Sequence, residues 1–265
     1  MVEVYRFWSN GWIDRYYIRP EFFFHYYGFE WIGPWAGSGM YWHFALIAIL
    51  ALLITLGAFY RLAAIVFLFA FTYVFLLDQA RYLNHFVLVI LIAFLIVVVP
   101  AQRAYSVDAA LAGRPQNATV PTWSIWLFRL QFELLYIFAG VVKINPDWLR
   151  LEPMGMWMAR RADFPLIGPL FTEDWFVALI AYSVIVLHIV GAPLLLFRRT
   201  RIYVVAVYFV FHVTNHFFFR IGIFPWLAIA ATMLFFDPDW PRQLASHCRR
   251  WAGGAPATKT EATNG

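Results

Sequence analysis

Apolar residues run along this chain in long stretches separated by short polar breaks. Seven stretches stand out, at 41–60, 62–77, 84–101, 123–143, 175–197, 202–219 and 221–236. A helix that crosses ~30 Å of hydrocarbon needs about 20 residues. Each stretch therefore predicts a membrane-spanning helix, with the second and seventh short. The break at Arg220 and Gly222 leaves open that the last two runs form one interrupted element. No internal repeat is visible. The expected fold is all-α: a polytopic transmembrane helix bundle of about seven spans. One transmembrane domain is expected over residues 1–241, with an aromatic-rich interfacial segment at 1–40 and the helical spans at 41–236. Residues 242–265 read as a polar, disordered tail.

Composition strengthens this picture. The chain has 265 residues, of which 63% are apolar, 21% aromatic and 13% charged. Soluble domains average about 25% charged and about 45–50% apolar residues. A single soluble core of this length has no room for so much apolar surface. An ordinary cytoplasmic enzyme, a disordered chain and a nucleic-acid binder are thereby excluded. No cleavable signal peptide is visible. The one cysteine, Cys248, supports neither a disulfide framework nor a Cys-rich metal site. Segment 1–40 contains Trp8, Trp12, Tyr16, Tyr17, Trp31 and Trp35 among many rings, which suits short helices at the membrane–water boundary.

The basic residues divide almost evenly between the two membrane sides. The short turn Phe197-Arg198-Arg199-Thr200-Arg201 is the better orientation signal. It places the C-terminal tail in the cytoplasm and the N-terminal side in the periplasm, as in a bacterial inner-membrane protein. The sequon Asn117-Ala118-Thr119 falls on the cytoplasmic side and reads as a chance occurrence.

Ionisable groups inside a span cost roughly 2.5–3.5 kcal/mol each on insertion scales, so the exceptions carry information. The fourth run holds Arg129, Glu133, Tyr136, Gly140 and Lys143, spaced to share one helix face. Arg129 and Glu133 have the i, i+4 spacing of an ion pair. Gly140 makes room for a partner or ligand. Such a seam suits helix–helix glue, with Lys143 snorkelling to the interface. It also suits chemistry. The chain has only two lysines, Lys143 and Lys259, and uses Arg at every other basic position. A desolvated lysine loses its proton readily and then serves as a base; an Arg-rich genome bias is the plainer account of the count. The third run opens with Asn84-His85. The sixth carries His212, Asn215 and His216, with the two histidines one turn apart, a spacing that also suits metal ligands. His43 and His188 complete the intramembrane set, with His188 reading as a satisfied core residue.

At these residues the chain resembles the membrane (HTTM) domain of the vitamin K-dependent gamma-carboxylases. The matching stretches are Tyr26-Tyr27-Gly28-Phe29-Glu30-Trp31, Tyr82-Leu83-Asn84-His85, Gln131 through Ala139-Gly140-Val141-Val142-Lys143, Asn145-Pro146-Asp147-Trp148-Leu149, Phe211-His212 with Asn215, and Ile221-Gly222-Ile223-Phe224-Pro225-Trp226. They cover nearly the whole chain in order, and the AG-x-x-K-x-x-x-DW segment is the most specific. The resemblance implies an enzyme that oxygenates a reduced naphthoquinone, vitamin K or menaquinol, with dioxygen to give the quinone epoxide. It implies catalytic roles for Lys143 as the base and His85 as a charge stabiliser. Asn84, Tyr136, His212 and Asn215 are implied at the quinone site, with no metal.

In the family, the reaction is coupled to removal of a glutamate γ-proton and capture of carbon dioxide. The implied partners are the lipid bilayer, the lipophilic quinone, and a peptide, protein substrate or separate soluble partner, with no nucleic acid. The family's carboxylases carry a soluble domain after the membrane part and a hydrophobic helix before the aromatic segment. Neither is expected within this chain, which leaves the carboxylation step open. Two other readings of the same residues stay open. One is a histidine-ligated iron oxygenase built on His43, His85, His212 and His216. The other is a non-enzymatic membrane partner or immunity-type protein on the same scaffold.

Overall fold

A computed structural model describes residues 1–114, 119–219 and 221–251. Twelve α-helical segments follow one another among these residues, and no strand occurs among them. They are α1 (Val2–Ser9), α2 (Gly39–Leu56), α3 (Tyr60–Leu76), α4 (Asn84–Val98), α5 (Val107–Leu111), α6 (Trp123–Val141), α7 (Pro146–Leu149), α8 (Glu152–Ala159), α9 (Asp174–Leu194, with a π-type turn at Leu187–Gly191), α10 (Arg198–Phe219), α11 (Phe224–Phe235, its last turn 3₁₀) and α12 (Trp240–Trp251).

Each of the seven apolar runs contains one apolar helix. Four of these, α2, α6, α9 and α10, are long and apolar enough to cross a membrane, while α3, α4 and α11 are shorter. Only 17–33% of each long helix is buried inside the protein. The remaining apolar surface requires lipid around it, because water disfavours apolar patches of this extent. The chain is an integral membrane protein. Its helical backbone follows from the same setting, since hydrocarbon offers peptide groups no other partner.

Residues 240–251, most of which the sequence assigns to a structureless tail, form helix α12. The rest of the expected tail (252–265), Asn117 and Ala118 of the sequon, and Arg220 of the expected break lie outside the described residues.

The chain divides into two compact units. The first comprises residues 1–134 and 211–228. At one end of it, α2 stops at Gly57, which takes a left-handed conformation (φ +62°). A β-carbon there would lie 2.4 Å from the Ser106 side chain, so glycine is required for the approach as well as for the turn. Helix α3 then starts under the carboxylate of Asp108, which accepts from the backbone amides of Phe59 (2.8 Å) and Tyr60 (2.9 Å). The Tyr60 hydroxyl donates to the Ile96 carbonyl (2.8 Å), and Arg61 donates to that of Val97, so two side chains serve the end of α4.

At the other end of this unit, the aromatic N-terminal segment is tied to the turn before α4. Buried Asp78 accepts from the amides of Phe24 (3.2 Å) and Ala80 (3.0 Å). The Gln79 amide donates to Phe24 (2.7 Å), and its side chain donates to His25 (2.8 Å). Ile13 and Tyr17 are buried with Met40, Phe44, Ile47 and Leu77, so part of the expected interfacial segment is core. Tyr5, Phe22, Tyr27 and Trp31 stay exposed and keep the boundary role available.

The second unit comprises residues 135–210 and 229–265. Trp148 donates its indole N–H to the Ala181 carbonyl (3.1 Å), and Tyr182 donates back to that of Leu149 (2.9 Å), fixing α7 against α9. Asn145 caps α7 by accepting from the Trp148 amide (3.0 Å), with Pro146 at the first helical position. The π-type turn lies just before Pro193, whose missing N–H interrupts the helical ladder. Arg201 closes α9 by donating to the carbonyls of Leu195 (2.9 Å) and Leu196 (3.2 Å).

Asp78 is therefore the residue on which the placement of the aromatic segment turns. Asp78→Ala removes the acceptor of two amides and is expected to destabilise this region by about 1–3 kcal/mol. Hydrogen exchange should rise at residues 22–26 and 79–82, with α9 and α10 unchanged. Unaltered exchange at both segments would refute the assignment.

Candidate functional site

The sequence-expected site residues divide between the two units. Asn84, His85, His212 and Asn215 belong to the first; Tyr136 and Lys143 belong to the second.

In the first unit, Asn84 and His85 open helix α4. Asn84 is exposed and His85 half-buried. His85 lies against Phe224, with ring centroids 5.9 Å apart. The same Phe224 ring meets fully buried His212 edge-on at 6.2 Å. Two histidines distant in sequence are thus brought to one phenyl ring, through a residue that begins α11. Asn215 is half-buried, three residues along from His212. A cavity of about 210 Å³ opens beside His85 and is lined mainly by apolar side chains, among them Phe7, Phe44, Phe86 and Phe224. Glu3 also borders it. Its carboxylate accepts from the backbone amide of Ile223 (3.1 Å) and pairs with Arg6 (2.5 Å). Gly222, at φ +57°, leaves room for Arg6; a β-carbon there would stand 2.6 Å from the guanidinium. Helix α1 thus forms part of the cavity wall and is fastened to the loop that carries Phe224.

Sequence reasoning missed Glu3, Arg6 and the link through Phe224. The i, i+3 charge pair at the start of the chain was the available signal for the first two. Nothing in the spacing of the chain points to the third.

In the second unit, Tyr136 is fully buried and stacked on Tyr208, with centroids 4.3 Å apart. His188 stands edge-on to both rings, at 5.9 and 5.8 Å. Its Nδ1 bonds the Val184 carbonyl (2.7 Å), which makes it the satisfied core histidine that the sequence suggests. Lys143 lies in the turn just beyond α6, two residues past the last helical position. It is half-buried. Its Nζ donates to the Ala139 carbonyl (2.6 Å) and stands 5.2 Å from the centre of the Trp148 ring. Among the described residues no carboxylate lies within ion-pair distance of it. Burial alone holds this amine below the ordinary lysine value of 10.5.

Two expectations change at this level and one is narrowed. The Arg129–Glu133 pair does not form. Arg129 lies over Trp126, 5.1 Å from the ring centre, and the Glu133 Oε1 is buried without a hydrogen-bond partner among the described residues. Gly140 makes room for a partner, one of its two expected uses, and the partner is α9: a β-carbon there would lie 2.6 Å from Ile189 Cγ1 and 3.0 Å from His188 Cβ. The four-histidine iron set does not assemble within the first unit, which contains all four. His43 bonds the Ala70 carbonyl (2.9 Å), while His212 faces Phe224 and His216 faces Trp226 (5.3 Å). Among the described residues no group of three His, Cys, Asp or Glu is placed to hold a metal ion.

Comparison with known protein families matches the chain to the HTTM domain, whose family model covers residues 1–240. This domain is the membrane part of vitamin K-dependent carboxylase-like proteins. No solved structure matches the chain.

The fit of Gly140 against α9 can be tested directly. Gly140→Val should lower stability by about 1–3 kcal/mol through overpacking, with Gly140→Ala less severe. Thermal unfolding in detergent reads this out, and an unchanged transition in the valine variant would contradict the packing.

Proposed function

Because the chain belongs to the HTTM-domain family, we propose that it is an integral membrane enzyme that oxygenates a reduced naphthoquinone of the vitamin K or menaquinol type, with Lys143 as the base and His85 assisting. The observation that carries the proposal is the state of Lys143. It is the only lysine among the described residues, it is half-buried, and its sole hydrogen bond goes to a backbone carbonyl. A lysine that only snorkels sends its ammonium to water. This one keeps its amine at the helix end, where desolvation favours the neutral form that can take a proton.

The residues beside His85 fit the co-substrate. Flat aromatic faces around one imidazole suit a fused aromatic ring, and the apolar lining suits a molecule that partitions into lipid. The reduced quinone, with dioxygen, supplies the oxidative chemistry and ends as the quinone epoxide. Lys143 takes the hydroxyl proton at Nζ. The His85 imidazole stabilises negative charge at the ring, and Asn84, Tyr136, His212 and Asn215 shape and orient the quinone site. The apolar walls exclude water that would quench a strong base. The site faces the periplasm of a bacterial inner membrane, with the C-terminal tail in the cytoplasm. Passage of the reaction to a glutamyl side chain and carbon dioxide is a separate step, taken on an acidic peptide or with a soluble partner.

Purified protein in detergent, supplied with menaquinol or reduced vitamin K and dioxygen, should form the 2,3-epoxide, measured by mass spectrometry. Lys143→Ala should lose about 10²-fold or more of this rate while keeping the wild-type unfolding temperature. Lys143→Arg should not restore it, because a guanidinium holds its proton. Equal epoxide yield from a folded Lys143→Ala variant would overturn the assignment. The rate should also rise with pH through an apparent value below 10.5 and then level off, since the deprotonated amine is the active form. A rate that falls over that range would contradict the role of Lys143. Labelled carbon dioxide and an acidic peptide test the carboxylation step independently of the epoxide readout.

A further inference from the structure

Helix α12 begins five residues after the last apolar helix ends at Phe235, and nearly all of it lies past the residues that the HTTM family covers. Successive residues of a helix turn by about 100°. On that basis Trp240, Pro241, Leu244, Ala245 and Cys248 fall in one arc of roughly 140°, while Arg242, Ser246 and Arg250 fall in the opposite one. The sorting is complete enough to define an amphipathic helix. Its apolar arc is uncovered: Leu244 is 55% exposed and Cys248 is exposed.

Further basic groups stand on the same face of the second unit. Asp237, in the turn before α12, lies 3.9 Å from both Arg198 and Arg201 at the start of α10. The Arg198 side chain remains 88% exposed, and Arg199 beside it is exposed as well. Asp237 is thus shared between two guanidiniums, and Arg242 pairs with exposed Asp239 (3.5 Å), while Arg199 and Arg250 are exposed beside them. The apolar stripe is too small for a lasting protein contact. A few side chains offer roughly a few hundred Å², against about 1,200 Å² or more for a stable interface. What does lie within reach is the surface of the bilayer itself, because α12 is tethered directly to the end of an apolar membrane helix.

We propose that α12 is an interfacial anchor that binds anionic lipid headgroups. Its apolar arc lies in the acyl boundary, and Arg198, Arg199, Arg242 and Arg250 engage headgroup phosphates. This reading does not depend on the quinol chemistry, and it stands or falls on a separate measurement.

Cys248, the only cysteine in the chain, lies in the apolar arc and serves as a native labelling site. The full chain, nitroxide-labelled there, is placed in vesicles of phosphatidylcholine with or without phosphatidylglycerol. Collision with oxygen and with a water-soluble nickel chelate is then measured. With phosphatidylglycerol the label should be reached by oxygen and shielded from nickel. Each Arg→Gln change among the four arginines should weaken this state about 5-fold. Leu244→Asp should expel the helix from the phosphatidylglycerol vesicles without changing the helical circular dichroism. Phosphatidylglycerol retained by the unlabelled wild type, and lost from the quadruple Arg→Gln variant, should appear in native mass spectra.

Equal nickel access in both vesicles overturns the proposal. So does shielding that survives loss of all four arginines, or shielding that inorganic phosphate produces without the anionic lipid. Spin–spin broadening that disappears on dilution with unlabelled protein would identify a second copy of the chain as the occupant instead.

Discussion

A peptide carbonyl at the end of a helix has no amide above it, and hydrocarbon supplies none. This constraint accounts for many of the polar side chains in and beside the apolar helices. Tyr60 and Arg61 donate to the last carbonyls of α4, Arg201 to those that close α9, and Lys143 to a carbonyl near the end of α6. Between helices the same device recurs, with Trp148 serving Ala181, Tyr208 serving Leu187 and His43 serving Ala70. Asp108 and Asp78 do the converse and accept from amides that would otherwise lack a partner. A polar residue in this chain is thus, by default, an end-piece of the backbone ladder. Chemistry is sought among groups whose properties such service does not explain.

Lys143 performs such service too, and its proposed role rests on its burial as well. An ammonium has three protons to place, whereas a neutral amine has two and keeps a lone pair. One carbonyl accepts a single proton from it, and the nearby indole face favours the charged form while burial favours the neutral one. Arginine at this position would bring five donors to a place where, among the described residues, one carbonyl accepts from the side chain.

Much of the fold was legible because apolar run length is a strong signal in a membrane chain. Every run holds an apolar helix, with ends shifted by a few residues where Gly57 or Pro193 sets the boundary. Helix α12 was not legible to a reading of composition, because Ala, Gly, Thr and Lys beyond it dominate the tail; the period of Trp240, Leu244 and Cys248 was present all along. The site was legible in part. His188 was readable as core, and the rarity of lysine drew attention to Lys143, whose role is a proposal. Spacing on a single helix misled at Arg129–Glu133, because burial is not written in the spacing of α6; at Gly140 it left a partner or a ligand open, and the approach of α9 decides for the partner. The meeting of His85 and His212 at Phe224 is a tertiary event between residues more than a hundred apart, and no local pattern encodes it.

The fastening of Glu3 to Ile223 has a consequence for how the protein is made. The two residues are 220 positions apart. At roughly 5–20 residues per second, the ribosome takes about 10–40 s to deliver the second after the first. Through that interval α1 exists without its clasp, while all the helices of residues 135–210 are synthesised. The first unit can be completed only when residues 211–228 return to it. Beginning and end of this chain must therefore find each other late, and the wall of the His85 cavity is among the last parts of the protein to close.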